Sequence, residues 1–191
     1  MALNLHDILP RSRANGPGVR LVIWFQGCTL RCPGCFNPET HSHEPRLVTP
    51  VGELLDRIAA EQDGIEGITI SGGEPLDQPE GLLELLAGLR RATRRSVVLF
   101  SGHTKEEIRA MPLGPAILGH LDVLIAGRYD RTQPLGRGLL ASANQQVHLL
   151  TDRYGRADIE QIPAGEVVIG KDGSLAVSGI GPPTIAAHTR T

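Results

Sequence analysis

Cys28, Cys32 and Cys35 are all the cysteines of this 191-residue chain, and they stand together in Gly27-Cys-Thr-Leu-Arg-Cys-Pro-Gly-Cys-Phe-Asn37. The spacing C-x3-C-x2-C gathers three thiols in one short loop. A cubane [4Fe–4S] cluster takes four ligands, and so does tetrahedral structural zinc. Three protein ligands leave one position open, and an open position on an iron–sulfur cluster is a place for chemistry. Zinc completed by His41 or His43 satisfies the same ligand count and stands as the alternative. A buried apolar role, or a redox pair with a spare, suits scattered cysteines better than three within eight residues. The odd number argues against a disulfide framework.

The second chemical signal is Ser71-Gly-Gly-Glu-Pro75. Adjacent glycines let a ligand approach the backbone and reach its N–H and C=O groups. Glu74 adds a carboxylate suited to an ammonium group. By itself Gly-Gly-Glu-Pro is an ordinary turn sequence. One βα unit after the cysteine loop, it becomes specific. His103 and Lys105 are expected at another strand end on the same edge. No Ser–His–Asp arrangement or pair of catalytic carboxylates is evident, so no residue is singled out as a general acid or base.

These motifs need elements to position them. Val19 to Gln26 reads as a buried strand of continuous apolar residues, which places the cysteine loop at its C-terminal end. Thr49-Pro50 opens a helix with Thr49 as candidate N-cap and Leu54, Leu55, Ile58 and Ala59 as its apolar stripe. Gly67 to Ile70, Val97 to Phe100 and Leu121 to Ala126 are further strands. Helices are expected over about 79–91 and from Thr104. This alternation predicts βα units and a mostly parallel sheet. An N-terminal arm precedes Asn15-Gly-Pro-Gly18. Beyond about Thr151, Glu166 to Ile169 and Ser174 to Val177 read as a β-hairpin with an Asp-Gly turn, followed from Gly181 by a loose tail. With 40% hydrophobic residues the chain can bury one core, yet it is short of the about 250 residues of an eight-unit barrel. The net charge of −2 does not point to nucleic acid or an anionic membrane. The apolar run Leu21 to Phe25 is too short to span a bilayer. A cytoplasmic setting is expected.

Taken together, the cysteine loop and the Gly-Gly-Glu-Pro segment resemble those of the radical S-adenosylmethionine (SAM) superfamily. Over residues 1 to 148 the likeness narrows. Asn15-Gly-Pro-Gly18-Val-Arg20, Gly-Cys-x3-Cys-Pro-Gly-Cys-Phe-Asn37, Ser-Gly-Gly-Glu-Pro-Leu76, Asp122-Val-Leu-Ile-Ala-Gly127 and Ser142-Ala-Asn-Gln145 are similar to the anaerobic ribonucleotide reductase activating proteins, small glycyl-radical activases. The sequence departs from that family at His41, where Trp is usual, and at Ala141-Ser-Ala143, where a Gly-Ser-Ser-like segment is usual.

The resemblance implies an α/β fold: a partial (β/α)6-type radical SAM barrel with a mostly parallel sheet and a small C-terminal β-hairpin extension. It implies a core domain over residues 1–150 and an extension over 151–191. Cys28, Cys32 and Cys35 become ligands of a [4Fe–4S] cluster, and S-adenosyl-L-methionine chelates the unique iron. Gly72, Gly73 and Glu74 line the cofactor site, and Phe36, Ser101 and Asn144 are counted with them. A reduced cluster then cleaves SAM to methionine and a 5′-deoxyadenosyl radical. The implied partners are a glycyl-radical protein, the large subunit of an anaerobic ribonucleotide reductase, and a flavodoxin- or ferredoxin-type electron donor. Two competing readings remain: a radical SAM enzyme acting alone on a small molecule or peptide, and a non-enzymatic zinc or iron–sulfur module.

Overall fold

The computed structural model of the chain describes residues 1–61, 64–170, 173 and 175–181. Where only an arm was expected, the chain opens on a strand, β1 (Ala2–Ser12). Leu3 and Leu5 are buried while Asn4 and His6 are half-buried, the period-two pattern of a strand with one covered face. β1 pairs antiparallel with β2 (Arg20–Phe25) on one side and with β3 (Leu47–Pro50) on the other.

Helix α1 (Val51–Ala60) follows β3 at once, which corrects the expected cap. Thr49 lies in β3, paired with Leu3, and Pro50 holds the cap position with no side-chain hydrogen bond. The Val51 amide donates to the Met1 carbonyl instead. Val51, Leu54 and Ile58 form the buried stripe, whereas Ala59 is exposed.

The expected strands are found as β4 (Gly67–Gly72), β5 (Ser96–Ser101) and β6 (Val123–Ala126), with α2 (Pro79–Ala92), α3 (Lys105–Ala110) and α4 (Gly114–Leu118) between them. Thr104 caps α3 in a reciprocal capping box with Glu107. β2, β4, β5 and β6 run parallel. A ribbon of β7 (Pro134–Arg137) and β8 (Leu140–Ser142) precedes β9 (Gln146–Leu149), which pairs antiparallel with β6. Among the described residues the large sheet therefore has the order β3-β1-β2-β4-β5-β6-β9 and is mixed, with its parallel part at the centre. After α5 (Arg156–Glu160), β10 (Gly165–Ile169) and β11 (Leu175–Gly179) form the expected hairpin. Asp172 of its turn, and the tail beyond Gly181, lie outside the described residues.

The two faces of the sheet differ. Leu21, Ile23, Ile68, Ile70, Val97 and Leu99 pack against Leu54, Ile58, Leu82, Leu85 and Leu86 of α1 and α2. The alternate residues point to the opposite face, where Val98, Val123 and Ile125 meet Leu139, Ile159 and Ile162 in a smaller core. That second core covers only part of the face, and the uncovered part is the cavity described below.

Arg20 ties the sheet's lower edge together. It is fully buried, and its guanidinium donates to Thr69 Oγ1, Ser96 Oγ, the Ile68, Pro17 and Ser96 carbonyls and the Tyr154 hydroxyl. Gly67 makes room for it, since a Cβ there would lie 2.1 Å from Arg20 Nη1. Burial pulls the Arg20 pKa down to about 10, so it stays charged at neutral pH. Arg20→Met should leave several buried acceptors unpaired and cost about 3 kcal/mol in a urea titration, against about 1 kcal/mol for Tyr154→Phe. Equal, small losses would show the arginine to be dispensable.

Candidate cofactor site

The parallel strands all deliver loops to one edge. β2 ends at Phe25, and Gly27 (φ +101) turns the chain into the cysteine loop. Two further positive-φ residues, Arg31 and Gly34, curl the loop back, and the Cys35 amide donates to the Cys32 carbonyl at 3.1 Å. The segment after the loop is stitched to its start: the Gly27 amide donates to Thr40 at 2.8 Å and the Cys28 amide to His41 at 3.3 Å. Buried Gln26 adds a bond from its amide nitrogen to the Ser42 carbonyl at 2.7 Å. Cys28 is buried and Cys32 and Cys35 are half-buried; all three line one cavity of about 370 Å³. That volume suits a small-molecule cofactor.

β4 brings the second motif against the first. The Gly73 amide donates to the Phe25 carbonyl and the Glu74 amide to the Gly27 carbonyl, both at 2.8 Å. A Cβ on Gly73 would lie 2.1 Å from the Gly27 oxygen, and one on Gly72 (φ +107) 2.4 Å from the Phe25 nitrogen. The two glycines are thus what lets the strand end reach the cysteine loop. Gly72, Gly73, Glu74, Ser101 and Phe36 all line the cavity. Phe36 stands at its mouth, half-exposed, with its ring 4.7 Å from that of Tyr129.

The Glu74 carboxylate is turned inward. It is buried and accepts from the Leu76 amide, Ser101 Oγ and the Gly102 amide, binding the ends of β4 and β5 together. Burial pushes its pKa up to about 7 despite those donors. The fold therefore binds an extra proton between the usual pKa of 4.5 and about 7, so Glu74's contribution is full below that window and lost above it. Stability in urea should fall by about 2–3 kcal/mol between pH 5 and pH 8 from this group. Glu74→Gln should flatten that part of the pH profile, and an unchanged slope would contradict the assignment.

Asn144 takes a different position from the one expected. It is exposed, does not line the cavity, and its amide donates to the Arg128 carbonyl at 2.8 Å. The turn that places it there presents Gln145 to the cavity, pinned by bonds to Gly127, Ala141 and Ser142. His103 lies beside Glu107, 3.6 Å away, and neither it nor Lys105 lines the cavity. Sequence reasoning missed Trp24, Phe100 and Ile125, the cavity's apolar wall, although the strands' alternation implies them. The last part of the hairpin, Val177 to Ile180, closes one side of the cavity. Ser178 is held there by Asn15 of the Gly-Pro-Gly arm, at 2.5 Å.

The donor set suits an iron–sulfur cluster. Burial raises the pKa of Cys28 and of Cys35, so holding them as thiolates would require the positive charge of a bound metal. Among the described residues no three His, Cys, Asp or Glu side chains converge where one ion could sit. A cluster does not ask for that, because each thiolate binds a different iron. Zinc does; of its two candidate fourth ligands, His43 is half-exposed, 3.9 Å from Asp77 and outside the cavity lining, whereas His41 lines the cavity with the three cysteines.

Comparison with known proteins agrees. The 4Fe-4S single cluster domain family matches residues 14–148, which sets the class: proteins built around one such cluster. The anaerobic ribonucleoside-triphosphate reductase-activating protein of Enterobacteria phage T4 is 30% identical over 162 residues, 82% of this chain and all of that protein. The protein of the same name from Escherichia coli (strain K12) is 28% identical over 159 residues, 78% of this chain and 99% of its own. The pyruvate formate-lyase-activating enzyme of Clostridium pasteurianum is 38% identical over 86 residues, 43% of this chain and 36% of its own. The chain belongs to the anaerobic ribonucleoside-triphosphate reductase-activating protein family.

Proposed function

We propose that this protein is a radical SAM activase that installs a glycyl radical on an anaerobic ribonucleotide reductase. Cys28, Cys32 and Cys35 hold the [4Fe–4S] cluster, and SAM binds between that loop and Gly72, Gly73 and Glu74. The observation that carries the reading is that the chain's only cysteines and the Gly-Gly-Glu strand end line one cavity. The relatives' names supply the partner. When bound, the reduced cluster supplies the electron that cleaves SAM to methionine and a 5′-deoxyadenosyl radical.

The chain's own groups then have definite tasks. The backbone of Gly72 and Gly73 offers the close approach an amino group needs, while Glu74 and Ser101 hold the strand ends that shape it. Trp24, Phe100 and Ile125 form an apolar wall that excludes water from a reactive species. Phe36, at the mouth, borders the cofactor. We read the sheet, with α1 and α2 on one face and the cavity on the other, as the partial (β/α)6-type barrel of these enzymes. Residues 1–150 make its core, since the family match ends at 148 and β9 at Leu149; 151–191 are the extension. The electron donor is of flavodoxin or ferredoxin type. Among the described residues no helix is long and apolar enough to cross a membrane, and the cytoplasm is the proposed location.

The test is anaerobic reconstitution with iron and sulfide, reduction with dithionite, and addition of SAM and an anaerobic ribonucleotide reductase. The reading expects 5′-deoxyadenosine by chromatography and a glycyl-radical signal by electron paramagnetic resonance. An assembled cluster that yields neither, with the reductase present, overturns it.

A further inference from the structure

Two buried side-chain polar atoms have no hydrogen-bond partner among the described residues, His41 Nε2 and Glu166 Oε1. Glu166 accepts from the Arg13 amide through its other oxygen, at 2.9 Å, and does not line the cavity. His41 is placed differently, because it lines the same cavity as the three cysteines. A buried nitrogen without a partner costs free energy that a fold retains only where something offsets it.

The backbone of His41 is held from both sides. Its amide donates to the Pro38 carbonyl at 3.2 Å and its carbonyl accepts from the Cys28 amide at 3.3 Å. The neighbouring Thr40 carbonyl accepts from Gly27, and Ser42 from the Gln26 side chain. The residue is therefore anchored directly on the first cysteine of the loop, on a segment closed at both ends. A donor so pre-positioned loses little entropy when an acceptor arrives.

We infer that His41 Nε2 is a hydrogen-bond donor to an anionic acceptor of the loaded cofactor site, either a sulfur of the cluster or the carboxylate of SAM. His41 is then a positioning residue, and the inference rests on the function proposed above. A bond to sulfur stabilises the reduced, more negative cluster. A bond to the carboxylate strengthens cofactor binding and leaves the free cluster's potential alone.

The experiment compares wild type, His41→Phe, His41→Leu and His41→Gln after anaerobic reconstitution. Iron and sulfide are counted, the cluster is titrated redox-potentiometrically without SAM, and SAM binding is measured by equilibrium dialysis. With a sulfur acceptor, Phe and Leu variants keep the cluster but are reduced about tenfold less readily, a fall of about 59 mV for one electron. With a carboxylate acceptor the potential is unchanged and SAM binds about tenfold more weakly. Gln, which keeps an N–H donor, should recover most of either loss. Wild-type potential and wild-type SAM affinity in both Phe and Leu variants overturn the inference, as does a Gln variant no better than Leu. A wild-type protein that assembles no cluster instead overturns the proposed function, and this inference with it.

Discussion

Cys32→Ala should abolish 5′-deoxyadenosine formation, leaving only the background seen without protein. Cys32 stands between the other two thiols in sequence, and its carbonyl holds the Cys35 amide in the loop's turn. The chain has no fourth cysteine to take its place. Bound iron should fall well below the about four per chain of an intact cubane, because two thiolates leave two irons without protein ligands. The same result is expected of Cys28→Ala and Cys35→Ala. Anaerobic iron and sulfide analysis beside the chromatographic assay decides the matter. A Cys32→Ala protein with full iron and normal product would remove the three cysteines from the ligand set. If a histidine were instead completing a zinc site, wild type would bind one metal ion and form no product.

Gly73→Ala should cost about 4 kcal/mol of stability and most of the SAM affinity. The new Cβ would lie 2.1 Å from the Gly27 oxygen and 2.8 Å from its carbon. Both are backbone atoms, so no side chain can swing aside. The strand end must move, which breaks the bond from the Glu74 amide to Gly27 and pulls the glycine backbone away from the cysteine loop. Gly52→Ala is the matched control. Gly52 sits in α1 with nothing near its Cβ position. There alanine should stabilise the protein by about 0.5–1 kcal/mol through helix propensity and a less flexible unfolded chain. Urea titrations and equilibrium dialysis with SAM check both variants. A Gly73→Ala protein as stable as wild type, binding SAM equally well, would mean that the close approach of the two loops is not needed.

The parts of the fold read correctly from sequence are those with strong local patterns. β2, β4, β5 and β6 are short apolar runs bounded by turns, and α2 carries leucines at helical spacing. β1 was legible in principle from the alternation of Leu3 and Leu5 with Asn4 and His6, but Asp7 and Pro10 interrupt its pattern. Thr49 looked like a helix cap because Thr-Pro is a good helix start; pairing with β1 made it a strand residue instead. β7, β8 and β9 are too short and too polar to announce themselves.

The residues able to do chemistry were legible in the sequence alone. Three cysteines at C-x3-C-x2-C and a Gly-Gly-Glu strand end are covalent facts, and ligand number and backbone freedom follow from residue type. Orientation was decided only by the tertiary structure. Composition would put an arginine on the surface, yet Arg20 is buried because acceptors from β4, β5 and Tyr154 converge on it. Glu74 lines the cavity as its place in the motif suggests, yet that its carboxylate also accepts from Ser101 and Gly102, at the end of the next strand, is visible only in the fold. The partner that satisfies a polar group usually lies far along the chain, so only the packed sheet reveals it.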